Sequence, residues 1–166
     1  MKRLLSLFVI LLVSLDIQAV TKEIDYIQEG DRLPSFSVVD QCGDTIRSAD
    51  LRGKLSLITF FHTRCYDCRR ELPIVQELYV KYKSDLQFIC ISRAESFASI
   101  EKYWKQNGLT MPFAAQEDKN VFKLFAERII PRIYLVDDNG VVQRTFKEKV
   151  RKKKLNKAIL SLLKRN

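Results

Sequence analysis

The feature that most constrains the fold of this 166-residue chain is a cysteine pair placed between a buried strand and a helix. The apolar, β-branched run Leu55–Phe61 has the length and composition of a strand covered on both faces. Cys65 and Cys68 follow at once, and apolar residues recur at helical spacing from Cys68 to Lys83, which predicts an amphipathic helix. Because a strand buried on both faces needs a layer on either side, the segment predicts an α/β protein.

The rest of the chain continues the alternation of strands and helices. "LQFICIS", from Leu86, predicts a second buried strand, and two apolar runs around Asp138–Gly140 predict a hairpin. Helices are predicted at three further places, namely Ser99–Gln106, near Asn120–Ala126 and about Val150–Leu163. Ahead of the first buried strand, Gly30–Lys54 predicts short strands around a turn. These elements fit one domain built around a mixed sheet.

The first 19 residues have the layout of a secretory signal peptide. A basic start is followed by the apolar stretch Leu4–Leu15, which is shorter than the roughly 20 residues that a comfortable membrane span needs. A cut after Ala19 would leave residues 20–166 as the domain. Because Ile17 is large for a position two residues before a cleavage site, an uncleaved membrane anchor stays open as the alternative. In both cases we expect an exported domain, in the periplasm or on the outer face of the cytoplasmic membrane.

The formal net charge of +9 is partly concentrated in the segment Phe146–Lys157. A solvated basic face explains this run, and attraction to acidic lipid or to an acidic partner is the alternative. No aromatic residues interleave its lysines, and the chain contains no known nucleic-acid-binding motif. We therefore predict no nucleic-acid partner, and membrane association, if any, through the N-terminus.

Cys65 and Cys68 have the spacing and context of a redox pair. A helix N-terminus offers unpaired N–H groups and a partial positive charge, which favour thiolate over thiol. We expect Cys65 to be the nucleophile and Cys68 to attack the mixed disulfide that forms. A metal site is disfavoured because a closed zinc site takes four ligands and His62 is the only histidine. A purely structural Cys65–Cys68 disulfide is disfavoured, because the small loop that it would close restrains the unfolded chain little.

The two remaining cysteines are expected to be incidental to the chemistry. Cys90 falls in the second buried run and is predicted to pack as a small core residue, whereas Cys42 falls in a turn. Exported cysteines tend to be paired, so a Cys42–Cys90 disulfide stays open. A turn and a central strand seldom bring their Cβ atoms close enough for such a bond.

The segment Ile58–Tyr79, taken with Ile129–Val142 far downstream, resembles the thioredoxin superfamily. More narrowly, the chain resembles the exported TlpA/ResA-like thiol–disulfide oxidoreductases from about Gly30 to its C-terminal helix. The resemblance implies a thioredoxin-like α/β fold, with a central mixed β-sheet flanked by helices. It also implies an N-terminal β-hairpin and an inserted strand–helix element. Such an enzyme needs no organic cofactor or metal, because its electrons pass through sulfur.

The resemblance also implies roles for residues near the pair, and at one position the chain departs from the family. Pro131, after Ile130, matches a cis-proline that leaves the backbone before it free to bind an extended partner peptide, so both residues are predicted to bind substrate. Glu71 matches a carboxylate that exchanges protons with the thiols, and a surface salt bridge is the alternative. Arg64 stands where the family usually has tryptophan. It is predicted to contact partners and favour the Cys65 thiolate, unless it points into solvent.

The predicted function is reduction of disulfides in exported partner proteins by dithiol exchange at Cys65 and Cys68. A membrane-borne dithiol donor would re-reduce the pair. The oxidising direction stays open, because only the reduction potential separates the two. A non-enzymatic copper-binding or partner-binding module on the same fold is the second alternative. A thiol peroxidase is disfavoured, because "FFHTRC" lacks the proline that a peroxidatic loop carries.

Overall fold

A five-stranded mixed sheet flanked by four helices forms the body of the protein in a computed structural model that describes residues 24–165. The strands are β1 (Ser37–Val39), β2 (Thr45–Arg47), β3 (Ser56–Phe61), β4 (Gln87–Ser92), β5 (Phe113–Ala114), β6 (Arg132–Val136) and β7 (Val142–Lys147). The helices are α1 (Tyr66–Tyr82), α2 (Phe97–Asn107), α3 (Asn120–Lys123) and α4 (Lys152–Leu163).

The main sheet has the strand order β5-β4-β3-β6-β7. Strands β3, β4 and β5 run parallel, β6 is antiparallel to β3, and β7 is antiparallel to β6. Strands β1 and β2 form a separate antiparallel hairpin, and two strand–helix units lie between α1 and Pro131. The thioredoxin-like fold with an N-terminal hairpin and an inserted strand–helix element is therefore confirmed.

Strand β3 lies at the centre of the sheet and carries the active-site segment on its end. All six of its residues are buried, as expected for a strand paired on both sides and covered on both faces. Below the site, the ring of Phe60 packs against those of Phe122, Phe125 and Tyr134, with centroids 4.8 to 6.1 Å apart. This cluster gives the segment after β3 a rigid base.

Helix α3 ends at Lys123, three residues before the predicted end at Ala126. Past that point the chain makes a pairing that local spacing could not reveal. The carbonyl of Phe125 accepts a hydrogen bond from the Tyr26 amide at 2.9 Å, and Asp25 forms a β-bridge with Ala126. The N-terminal segment thus pairs with the backbone directly after α3.

The predicted signal peptide, residues 1–19, lies outside the described residues, so its cleavage remains a prediction. Among the helices within residues 24–165, none combines the length and the apolar character needed to cross a membrane.

Candidate active site

Cys65 is the N-cap of α1, at the point where the chain leaves β3 and enters the helix. Its Sγ accepts a hydrogen bond from the backbone amide of Cys68 at 3.4 Å, so it satisfies one of the free N–H groups of the helix start. Cys65 is partly exposed, Cys68 is fully buried, and both are free thiols. The two sulfurs thus differ in access, as a nucleophile and a resolving thiol should.

Burial raises the pKa of the Cys68 thiol strongly, and its hydrogen bond with Cys65 adds to the rise. A hydrogen bond with the backbone of His62 and the positive charge of Arg93 lower the Cys68 pKa, but they do not cancel the rise. Cys68 is therefore held as a neutral thiol while Cys65 is free, and it needs to lose a proton before it can attack.

The Ile130–Pro131 peptide bond is cis, as predicted. The carbonyl oxygen of Ile130 lies 3.6 Å from the Sγ of Cys65, so the backbone before the proline faces the exposed sulfur. An open groove of about 560 Å³ runs over Cys65 and is lined by apolar side chains of Ile129 and Ile130 together with charged side chains. The groove leaves this sulfur open to solvent, and binding of a partner peptide along it stays a prediction.

Arg64 is exposed and lines the groove over Cys65. Its backbone amide donates to Nδ1 of His62 at 3.1 Å, which fixes the chain just ahead of the cysteine. Asp67, the other charged residue of the motif, is paired with Arg70 at 3.3 Å. Arg64 thus lines the same groove as Cys65, and both its contact with partners and its influence on the Cys65 thiolate remain predictions.

Glu71 is buried on α1, with only 3% of its surface exposed. Burial raises the pKa of its carboxyl group, opposed by the backbone of Val150 and the charge of Arg70. Its Oε1 lies 3.3 Å from the guanidinium of Arg70, so a salt bridge does form, although the carboxylate is not at the surface. A raised pKa makes the carboxylate a stronger base than an ordinary glutamate, and its role in proton exchange stays a prediction.

The sequence analysis missed Glu95, a buried carboxylate that anchors the loop before Cys65. Its Oε2 accepts from the backbone amide of Thr63 at 2.8 Å, its Oε1 accepts from the Thr63 hydroxyl, and His62 Nδ1 lies 3.4 Å away. Glu95 follows β4, whose carboxyl end lies beside that of the parallel strand β3. The rule that sites gather where parallel strands end could have pointed to it.

The sequence analysis also missed Arg93, which directly follows the carboxyl end of β4. Its backbone amide donates to the Phe61 carbonyl at 2.9 Å, and its guanidinium lies over the Phe122 ring, 5.2 Å from the centroid. Its side chain lines the groove with Cys65. Arg93 is therefore a second cation, besides Arg64, at the redox pair.

The other cysteines lie apart from this chemistry. Cys42 is exposed and Cys90 is buried in β4; both are free thiols, so the structure has no Cys42–Cys90 disulfide. Across residues 24–165, no group of three or more His, Cys, Asp or Glu side chains is arranged to hold a metal ion.

Comparison with known proteins identifies the family. The Redoxin family model matches residues 28–159. The thiol-disulfide oxidoreductase ResA of Geobacillus kaustophilus (strain HTA426) is 29% identical over 134 residues, which cover 80% of this chain and 77% of that protein. ResA of Bacillus thuringiensis subsp. konkukian (strain 97-27) is 30% identical over 136 residues, covering 81% and 78%.

A solved structure shares the fold. The crystal structure of a thiol:disulfide interchange protein of the thioredoxin family from Chlorobium tepidum TLS superposes with a TM-score of 0.71 at 24% identity. The match covers 82% of this chain and 98% of that one. The cysteine pair at the start of α1, the cis-proline that faces it and these relatives agree: the chain belongs to the Redoxin family, as a ResA-like thiol–disulfide oxidoreductase.

Proposed function

We propose that this protein reduces disulfides of exported partner proteins, with Cys65 as nucleophile and Cys68 as resolving thiol. The observation that carries the proposal is the pairing of a partly exposed sulfur, which caps α1 and faces the groove, with a buried sulfur one turn further along.

In the first step the Cys65 thiolate attacks one sulfur of the partner disulfide. A bond forms between Cys65 and that sulfur, and the partner's second sulfur leaves as a thiolate and takes up a proton. The helix N-terminus stabilises the attacking thiolate, and the Ile130 carbonyl is placed to accept a backbone N–H of the partner.

In the second step Cys68 loses its proton and attacks the Sγ of Cys65 in the mixed disulfide. The Cys65–Cys68 disulfide forms, and the partner leaves with both of its sulfurs reduced, having received two electrons in all. Glu71 is the proposed proton acceptor along this part of α1, because burial raises the pKa of its carboxyl group above the ordinary glutamate range and so makes it a stronger base.

The direction of electron flow depends on how far the thiolate of the pair is stabilised in the reduced protein. Strongly oxidising pairs owe their potential to a stabilised thiolate in the reduced form. Desolvation works against a thiolate at Cys68, so Cys65 is the sulfur whose thiolate sets the potential. A dithiol donor borne by the membrane is needed to reduce the disulfide again, and export of the domain by residues 1–19 belongs to the same proposal.

Two cysteine variants test this function in an insulin-reduction assay. Cys65→Ser should abolish turnover, whereas Cys68→Ser should accumulate mixed disulfides with partner proteins, visible as reductant-sensitive bands. Cys42→Ser is the matched control, since Cys42 is an exposed cysteine outside the groove, and it should behave as the unmodified protein. Full insulin-reducing activity in Cys65→Ser would overturn the mechanism.

A further inference from the structure

Arg132, which follows Pro131, is a fully buried arginine behind the loop that faces Cys65. It is the first residue of β6, and 0% of its side chain is exposed. Buried guanidinium groups are rare in proteins and require compensating charge and hydrogen bonds. The contacts of Arg132 therefore indicate what its charge does.

The single Nε–H of Arg132 is shared between the backbone carbonyls of Arg128 and Ile129, each 3.0 Å from the nitrogen. Both carbonyls belong to residues 128–130, called the docking loop below. Ile129 has a φ of +63°, in the left-handed region that β-branched residues rarely adopt. The bifurcated hydrogen bond thus holds the loop in a conformation that its own sequence disfavours.

The shape of the docking loop decides what reaches the nucleophile. Ile129 and Ile130 line the groove over Cys65, and the Ile130 carbonyl lies 3.6 Å from the Cys65 sulfur. A peptide that pairs with this backbone is held by it, so a small shift of the loop weakens the pairing and with it the binding of the peptide.

The charge of Arg132 is met by Asp25 from the N-terminal segment. Asp25 Oδ1 lies 2.7 Å from Arg132 Nη2, and Oδ2 lies 2.5 Å from Lys147 Nζ. Partial burial raises the pKa of Asp25, but the hydrogen bond from Lys147 and the charge of Arg132 together outweigh it and lower the pKa. A bridge to Ala126 holds the Asp25 backbone in place.

We propose that the Asp25–Arg132 ion pair positions the docking loop, so that the N-terminal segment takes part in selecting peptide disulfides. This inference rests on the proposed function. Arg132 acts through the carbonyls of the loop and touches no substrate, which makes it a positioning residue. The pair should therefore matter for a substrate that lies along the loop, and not for one that meets only the exposed sulfur.

The test compares two disulfides in steady-state reduction. One is an extended peptide with a single disulfide, and the other is a small aromatic disulfide that does not reach the loop. Asp25→Asn should raise the KM for the peptide about tenfold, with the peptide kcat and the rate on the small disulfide unchanged. Arg132→Lys keeps the charge but lacks a donor that reaches both carbonyls. It should therefore also raise the peptide KM and leave the rate on the small disulfide unchanged.

Glu29→Gln is the matched control. Glu29 lies on the same N-terminal segment and pairs with Arg144 of β7 at 3.3 Å, but this pair is exposed and does not touch the docking loop. Substitution of Glu29 should leave the reduction kinetics of both substrates unchanged. The proposal is overturned if the KM for the peptide is unchanged in Asp25→Asn and Arg132→Lys. It is also overturned if that KM rises equally in Glu29→Gln, or if the variants lose the same reduction rate on the peptide and on the small disulfide.

NMR order parameters of the backbone separate this inference from the proposed function. The order parameters of residues 128–130 should fall in Asp25→Asn and not in Glu29→Gln, whether or not the protein reduces disulfides. If the unmodified protein reduces neither disulfide, the proposed function fails while the order parameters still decide whether the ion pair positions the loop. Equal order parameters in the two variants would overturn the positioning role.

Discussion

Replacing Thr63 with valine probes the buried carboxylate that anchors the loop before Cys65. The substitution keeps the shape of the side chain and removes the hydroxyl that donates to Glu95 Oε1. The backbone amide of Thr63 still donates to Oε2 at 2.8 Å, so one hydrogen bond to a buried carboxylate is lost and one is kept. Thr63 is itself only 8% exposed, so water cannot easily replace the lost donor.

A hydrogen bond to a charged group contributes about 1.5–3 kcal/mol to stability, and we expect Thr63→Val to lower the free energy of unfolding by that amount. At about 2–4 °C per kcal/mol for a chain of this size, the Tm should fall by roughly 3–12 °C. Urea denaturation followed by far-UV circular dichroism measures the free energy, and a thermal scan measures the Tm.

Thr45→Val is the matched control, because Thr45 is exposed in β2. It should stay within about 0.5 kcal/mol of the unmodified protein. If Thr63→Val is as stable as the control, Glu95 does not depend on the hydroxyl, and the anchoring role assigned to the Thr63–Glu95 contact is wrong.

Two further predictions concern charges near the cysteine pair. The folded state raises the pKa of Glu71, so ionisation of its carboxyl group costs stability as pH rises from the ordinary glutamate range through the raised value. Over that pH range Glu71→Gln should gain stability relative to the unmodified protein, and its pH–rate profile should shift. Parallel stability curves and an unchanged pH–rate profile would contradict these two expectations. Arg93→Gln removes a cation that favours the Cys68 thiolate, so release of the mixed disulfide in single-turnover trapping should slow by roughly three- to tenfold. Arg69→Gln, an exposed position on α1, should leave that rate unchanged, and equal rates in the two variants would exclude Arg93 from the resolving step.

The placement of the cysteines could be predicted because it is local. A buried strand, two cysteines and an amphipathic segment follow one another within one stretch of sequence, and that order puts the cysteine pair at the helix start. Helix α1 begins at Tyr66, ahead of the start at Cys68 that apolar periodicity predicts, because Tyr66 is 74% exposed and periodicity shows only the buried face of a helix. The cis bond before Pro131 followed from family resemblance and could not have come from spacing.

The contacts that shape the site could not be predicted, because they join residues far apart in sequence. Glu95 reaches Thr63 across parallel strands, and Asp25 reaches Arg132 from the other end of the chain. A carboxylate or a guanidinium shows no local pattern that distinguishes a buried charge from a solvated one. Their partners become visible only when the sheet brings the strand ends together.

The measurement that tests the central claim most directly is the reduction potential of the Cys65–Cys68 pair. The purified protein is equilibrated in graded dithiol buffers, and the alkylated thiols are counted by mass. The account predicts a value near or below about −250 mV, where a pair donates electrons to partner disulfides and depends on an upstream donor. A value near about −120 mV would contradict it, because such a pair oxidises its partners.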